Sequence, residues 1–562
     1  MADTTTDRKL ALQRLGQLKI ERASWFQHWM ELSAYFSPRQ GRYFIQDRNK
    51  GYRRHNTIYD NTGTRSLGTL GAGLMGGLTS PARPWFRLST GHPDMNKDHE
   101  VRRWLTDVTN LMLEVFQKSN AYRALHQVYK ELGVFGTAAC IIVPDFKNVI
   151  HLHPLTTGEY CISTNFNGRV DVLYREFQLT VGQMVKEFGR ENCSTTVQAQ
   201  YDRGALDTWV TVIHAIEPRA DRDASKIDNQ NMAWSDVYWE LGGEPDKPLR
   251  TSGFKHFPAL CPRWDVEGGD IYGNSPGMEA LGDVKQLQHE QLRKAQGIDY
   301  MTKPPVQVPT SMKNRDVDML PGGISYVDVT SAQGGIRSAF EVNLNLQYLL
   351  EDIQDVRNRI RSAFFADLFM MIANDVDTKK TATEVAELHE EKMLMLGPVL
   401  ERLQDELLNP LIDITFTYMS EQGLLPPAPE QMHGMPLSIE LVSMLAQAQR
   451  AISTNGIDRF VGALGAVSQY KPEVLDKFDG DAWADEYADV LGVSPNLLVA
   501  TDKAKALRIQ RQKAAAAAQQ AATNNQRADT VQKLSSVPTQ GGNSNAGADV
   551  LGMFSGYGQG QQ

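Results

Sequence analysis

This sequence has few cysteines, no long apolar run and no excess of positive charge, and each absence removes a class of function. Its 562 residues include four cysteines, Cys140, Cys161, Cys193 and Cys261, with no CxxC spacing among them. Neither a zinc ribbon nor a disulfide framework fits that scatter, which points to folding in a reducing cytoplasm. The most apolar helical stretch, Ser362 to Ala373, carries Asp367 and is about half the length a bilayer requires, so no membrane crossing is expected. Met1 to Leu10 is polar and charged and lacks the apolar centre of a secretory signal. Lys and Arg total 58 against 67 Asp and Glu, a formal charge of -9, which excludes a protein that grips nucleic acid over its whole surface. There is no GxxxxGK[ST] loop, so a self-contained ATP-driven motor is not expected.

What is present is ordinary globular composition, 41% hydrophobic and 22% charged, enough for about two to four packed regions. From Leu10 to Phe36, the residues Leu12, Leu15, Leu18, Trp25, Trp29, Leu32 and Phe36 recur at helical spacing. Thr62 to Leu78 reads as a helix rich in glycine, which permits close approach of a neighbouring backbone. Helices over 97–119 and 121–133 precede strands over 138–143, 151–155, 158–163 and 169–177, with turns such as Asn167-Gly168. A short helix with Thr180 as its cap and strands over 209–218, 237–241 and 259–265 complete an α+β block.

The pattern then becomes mainly helical. Ser275 to Met301 opens with Ser275-Pro276, proline standing at the first helical position, and predicts a rod of roughly 40 Å. Residues 302–344 hold prolines, paired glycines and short β-type runs, a compact excursion too long for a plain loop. A second rod over 345–371 carries Leu346, Leu349, Ile353, Val356, Ile360 and Ala363 at alternating steps of three and four, the seam of a helix packed on a helix. Residues 372–380 read as a mobile loop. Thr381 to Met419 reads as one long helix kinked at Gly397-Pro398 and Asn409-Pro410. Short helices over 438–498 and a helix over 502–522 follow, and from Thr523 the chain is expected to be disordered when alone.

Five features invite chemistry. Gly71-Ala72-Gly73-Leu74-Met75-Gly76 matches GxGxxG, and a nucleotide-binding enzyme using this run is the alternative reading. The residues before it read as helix rather than strand, so tight helix packing is expected instead. His151 and His153 share a strand face but have no third metal ligand nearby. Cys140 has no supporting His, so it reads as a structural thiol. Acidic residues from Glu384 to Glu406 form the solvated face of the long helix or repel DNA. Arg357, Arg359 and Arg361 on the second rod are candidates for salt bridges between subunits or for phosphate contact. No catalytic residue, cofactor site or metal site is assigned.

Several separated segments nevertheless occur in an order that is itself informative: Leu78-Thr-Ser-Pro-Ala-Arg-Pro-Trp-Phe-Arg-Leu88, Leu132-Gly-Val-Phe-Gly-Thr-Ala138, Thr381-Ala-Thr-Glu-Val385, Leu396-Gly-Pro-Val-Leu-Glu-Arg-Leu403 and Leu407-Leu-Asn-Pro-Leu-Ile412. Together, from about residue 10 to 515, the chain resembles the head-to-tail connector, or portal, proteins of short-tailed bacteriophages. The resemblance implies a non-enzymatic ring of about twelve subunits at one capsid vertex of the virion, assembled in the host cytoplasm around a channel for double-stranded DNA. In that plan residues 1–274 and 381–437 are wing, 275–301 and 345–371 are the stem, 302–344 the clip, 372–380 a tunnel loop and 438–522 a crown. Its implied partners are the terminase large subunit, which is the packaging ATPase, then tail adaptor proteins, the major capsid protein and internal core or scaffolding proteins. A uniformly basic channel would hold DNA through phosphate neutralisation rather than let it slide. A near-neutral or acidic lining is therefore expected, with Lys379, Lys380 and the neutral donor Asn374 at one constriction.

Overall fold

The computed structural model describes residues 4–44, 58–91, 95, 98–223, 225–226, 228–243, 247–303, 305–307, 337–338, 346–373, 395–432, 437–442, 460–468, 470–471, 473, 478–480, 483–484 and 501–535. They fall into two compact units, 1–455 and 456–562.

In the first unit α1 (Thr4–Phe36) buries Leu15, Leu18, Trp29, Leu32 and Phe36, the stripe its spacing predicts. It is followed by α2 (Thr62–Leu78), β1 (Phe86–Thr90), α3 (His99–Lys118) and α4 (Ala121–Phe135). Gly136 ends α4 in the left-handed region at φ +72°, where an added Cβ would stand 2.1 Å from the Gly273 carbonyl. Next come β2 (Ala139–Asp145), β3 (Val149–Leu155), β4 (Tyr160–Thr164) and β5 (Val170–Thr180). Then α5 (Val181–Phe188) starts with a capping box, in which the Thr180 hydroxyl accepts from the Gln183 amide and the Gln183 side chain accepts from the Thr180 amide. The block closes with α6 (Thr195–Asp202), β6 (Trp209–Pro218), β7 (Trp234–Glu240), β8 (Arg250–Phe254) and β9 (Ala259–Leu260). β4 to β8 make a five-stranded antiparallel meander in chain order, and β3-β2-β9 a three-stranded sheet.

The helical part begins with α7 (Pro276–Thr302), whose cap Ser275 accepts from the Met278 amide. β10 (Val306–Gln307) pairs antiparallel with β11 (Arg337–Ser338), and α8 (Leu346–Ala363) returns along α7 before α9 (Ala366–Ala373). Residues 395–403 are helical, 404–408 form a π turn and α10 (Asn409–Glu421) continues the line. β12 (Leu437–Leu441) pairs with β1. One hydrophobic core joins the helices of this unit to the three-stranded sheet, with Leu70, Leu132, Ile142, Val284, Val356, Leu403 and Leu411 at its centre.

Several expectations are corrected. The rod over 345–371 is not continuous: it breaks at Phe364 and Phe365, the latter at φ +52°. A bulky residue there costs about 1–3 kcal/mol. Phe364, fully buried against the Phe36 ring at 5.4 Å, and Phe369, seated at Gly73, hold the bend. The long helix relieves Pro410 by the π turn, in which the Asn409 amide bonds back to the Gln404 carbonyl. Residues 438–441, expected within short helices, belong to the strand Leu437–Leu441, and α6 and β8 have no counterpart in the pattern read above. In the second unit α11 (Thr501–Ser535) extends well past residue 523. Its sequence holds neither glycine nor proline, so composition there does not oppose a helix.

Candidate functional site

The two antiparallel helices α7 and α8 form the site most clearly anticipated from sequence. Ile353, Val356 and Ile360 are buried at 1%, 0% and 0% exposure, against Val284 and Leu287 on the facing side of the core. Leu349 and Ala363 are half-buried at the ends of this seam, and Leu346 begins α8. Arg359 Nη1 meets Asp283 Oδ1 at 3.1 Å across the pair, and nearly the same register continues outward to the Val306–Ser338 and Gln307–Arg337 pairings. The β10–β11 ladder therefore ties the two strands of chain together just beyond the helices. α8 carries three arginines and three carboxylates, and α7 three basic and four acidic residues, so the pair is close to neutral.

The arginines have distinct fates. Arg357 donates to Asp60 Oδ2 from Nε at 3.1 Å and Nη2 at 2.7 Å, and Gln291 donates to the same oxygen at 3.0 Å. Gln288 accepts from the Tyr59 and Asp60 amides at 2.6 and 2.8 Å and donates to the Asp60 carbonyl at 3.0 Å. Burial raises the Asp60 carboxyl, but bonds from Thr62 and Arg357 outweigh it and hold its pKa below the ordinary value. The chain entering α2 is thereby clamped to both helices. Arg359 pairs with Asp283 and, at 3.4 Å, with Asp355. Arg357 and Arg359 thus have partners within the chain, whereas Arg361 has none among the described residues. Glu290 is raised by burial and by the facing Asp352. Asn374, Lys379 and Lys380 lie outside the described residues, as do Glu384 to Glu391.

The glycine run is helix, not a phosphate loop. Gly71, Gly73 and Gly76 all sit within α2, and a Cβ at Gly73 would stand 2.2 Å from the Phe369 ring. The close approach is made by side chains: Phe369 at Gly73, Phe36 and Val284 at Gly63, Lys130 at Gly71. The His151 and His153 rings are 4.6 Å apart on β3, and burial, then His151, then Arg175 push His153 down to about 4. No cluster of three metal-ligating side chains occurs among the described residues. Burial raises the Cys140 thiol far above its ordinary value, which leaves it protonated and unreactive.

One constellation has no sequence signal. Arg263, 3% exposed, meets Glu406 in the π turn: Nη2 donates to Oε1 at 2.6 Å, and the Arg263 amide donates to Oε2 at 2.9 Å. The same guanidinium donates to the Gly168 carbonyl at 2.7 Å, and Arg169 pairs with the neighbouring Asp405 at 3.0 Å. The π turn therefore aims two carboxylates of the expected acidic face at the body of the protein. Pro410 is the only local hint, and it predicts a kink rather than these partners.

With this geometry in place, the chain can be compared with known proteins. The family model described as bacteriophage head to tail connecting protein matches residues 8–498. The chain belongs to that family. Within it, the chain is 61% identical over 552 residues to the probable portal protein of Bordetella phage BPP-1, covering 98% of this chain and 99% of that one. It is 47% identical over 541 residues to the portal protein of Salmonella phage epsilon15, covering 96% and 97%. Among solved structures, a chain of the native gene transfer agent virion matches at 11% identity over 77% of this chain and 90% of that one, with a TM-score of 0.36. That score is below the level at which a shared fold follows. The family assignment therefore rests on sequence.

Proposed function

We propose that this chain is a structural portal protein: about twelve copies close into a ring at one capsid vertex of the virion, and double-stranded DNA passes through its axis during packaging and ejection. The observation that carries the reading is the near-complete alignment with two phage portal proteins. In this reading α7 and α8 are the stem, with the second stem helix ending at Ala363 rather than near residue 371, and the chain between β10 and β11 lies in the clip. Residues 1–274 and 381–437 form the wing, residues 372–380 the tunnel loop and residues 438–522 the crown. The clip receives the packaging ATPase during filling and tail adaptors afterwards, while the capsid shell and internal core proteins surround the ring.

A duplex must slide past this surface, so the physical demand is weak, evenly distributed attraction. Each phosphate neutralised adds affinity and salt dependence, and a ring multiplies any one cation by its copy number. The near-neutral pair, with Arg357 and Arg359 held by carboxylates of the same chain, meets that demand. Arg361 remains as the arginine of α8 available to a phosphate or to a neighbouring subunit. Lys379, Lys380 and Asn374 supply the constriction. In a packaging assay, reversing charge at Lys379 and Lys380 should leave ring assembly intact and alter DNA uptake or retention; unchanged packaging would overturn the assignment of the constriction. The GxGxxG run has no part in this function, because it lies within a helix and the Lys130 and Phe369 side chains pack at Gly71 and Gly73.

A further inference from the structure

Glu131 is a carboxylic acid set inside the protein with no cation beside it among the described residues. It lies on α4 at 1% exposure, and no Lys, Arg or His stands within ion-pair distance of it among the described residues. Its partners are neutral donors on one turn: the Thr156 hydroxyl at 2.7 Å to Oε1, and the Thr157 amide and hydroxyl at 3.2 and 3.1 Å to Oε2. That turn is also the anchor for the chain leaving α1. The Gly41 amide donates to Thr156 Oγ1 at 2.9 Å, and the Arg42 amide to the Thr157 carbonyl at 2.9 Å. A relay thus runs from the Gly41 amide through the Thr156 hydroxyl to Glu131. The contact leaves no slack, since a Cβ at Gly158 (φ +94°) would stand 2.0 Å from the Arg42 carbonyl oxygen.

The charged and titratable groups around Glu131 are few. Glu159 follows on the same turn and pairs with Arg42 at 3.1 Å. Tyr160 begins β4, with Cys261 and Tyr272 next to it, and Arg22 of α1 donates to the Gly158 and Tyr160 carbonyls. None of them offsets a charge on Glu131: Glu159 repels it, and both nearby guanidinium groups are engaged elsewhere.

We propose that Glu131 is a proton-responsive latch, which holds residues 41–44 on the Thr156–Gly158 turn while neutral and loosens them when charged. The proposal rests on the fold alone and stands or falls independently of the portal reading. Burial is the main cause that pushes the carboxyl up to about 7, the Thr156 and Thr157 bonds oppose it, and Glu159 adds to it. Opening the turn exposes the acid to water and returns it to its ordinary value. A raised acid has its full holding effect below the ordinary value and loses it as pH rises through the raised one. Local opening should therefore become easier from about pH 4.5 to 7 and level off above.

The test is hydrogen–deuterium exchange of the full chain at several pH values from 5 to 8, corrected for intrinsic amide rates. In peptides covering 37–44 and 155–160, the opening constant should rise roughly 40-fold between pH 5 and 7 and about twofold more by pH 8. Glu131→Gln should abolish that dependence and hold both peptides at their pH 5 protection. Thr156→Ala should loosen 37–44 at every pH while 155–160 keeps its pH response. The proposal is overturned if the wild-type peptides follow the same pH course as the rest of the chain, a result that needs no variant to fold. It is equally overturned if Glu131→Gln folds and keeps the wild-type profile.

Discussion

Replacing Arg263 with methionine would test whether the π turn is held to the body by its carboxylate. The change keeps most of the side chain's volume and removes every donor of the guanidinium, leaving the Glu406 carboxylate, 13% exposed, with the Arg263 amide and the 3.4 Å contact from Arg402 as its partners among the described residues. Removing one partner of a buried ion pair costs about 3–5 kcal/mol, because the charge left behind has lost both its partner and its water. The Gly168 carbonyl also loses its donor, which adds about 1 kcal/mol or more. We therefore expect Arg263→Met to lower the thermal midpoint by at least about 5 °C, measured by differential scanning fluorimetry at fixed protein concentration. Glu406→Gln in the same background should recover a substantial part of the loss by removing the orphaned charge. A shift under about 1 °C, or no recovery in the double variant, would refute the argument that this pair anchors the helix at its π turn.

Other consequences are equally direct. Gly73→Val should destabilise the protein by about 1–3 kcal/mol in chemical denaturation, since the new side chain meets the Phe369 ring, while Gly76→Ala, where an added Cβ meets nothing within 4 Å, should be nearly neutral. Equal effects at the two glycines would contradict the packing role of the run. His214 accepts at Nδ1 from Arg175 Nε at 3.0 Å, so its Nε2 donates to Asp236 Oδ1 at 2.6 Å; burial, the largest cause, pushes it down to about 4. A lowered histidine gives stability that is complete above its ordinary value and lost as pH falls, so acid should remove up to about 3 kcal/mol between pH 6.5 and 4. An acid-unfolding profile unchanged by His214→Gln would count against this.

How much of this was legible beforehand depended on whether the deciding contacts were local. The seam Ile353, Val356 and Ile360 lies on one helix face, so its period shows in sequence, as do the β-hairpins and the Ser275-Pro276 helix start. The bend at Phe364 and Phe365 did not show, because the periodic pattern continues across it and the contacts that hold it, to Phe36 and Gly73, come from distant segments. The β1–β12 pairing joins residues some 350 positions apart, and a strand of five residues carries little pattern of its own. Arg357 and Arg359 illustrate the same limit: their charge was readable, but their partners Asp60 and Asp283 were not. Glu131 and Arg263 gave no signal, since burial of an ionisable group is decided by the whole fold.

The central claim is that α7 and α8 of many copies line a common axis. Cryo-electron microscopy of the purified full-length protein tests it most directly. The account predicts a closed ring of about twelve subunits, with an axial hole wide enough for a duplex and walled by these two helices. A protein that stays monomeric at every concentration, or a ring whose hole is lined by other elements, would contradict it.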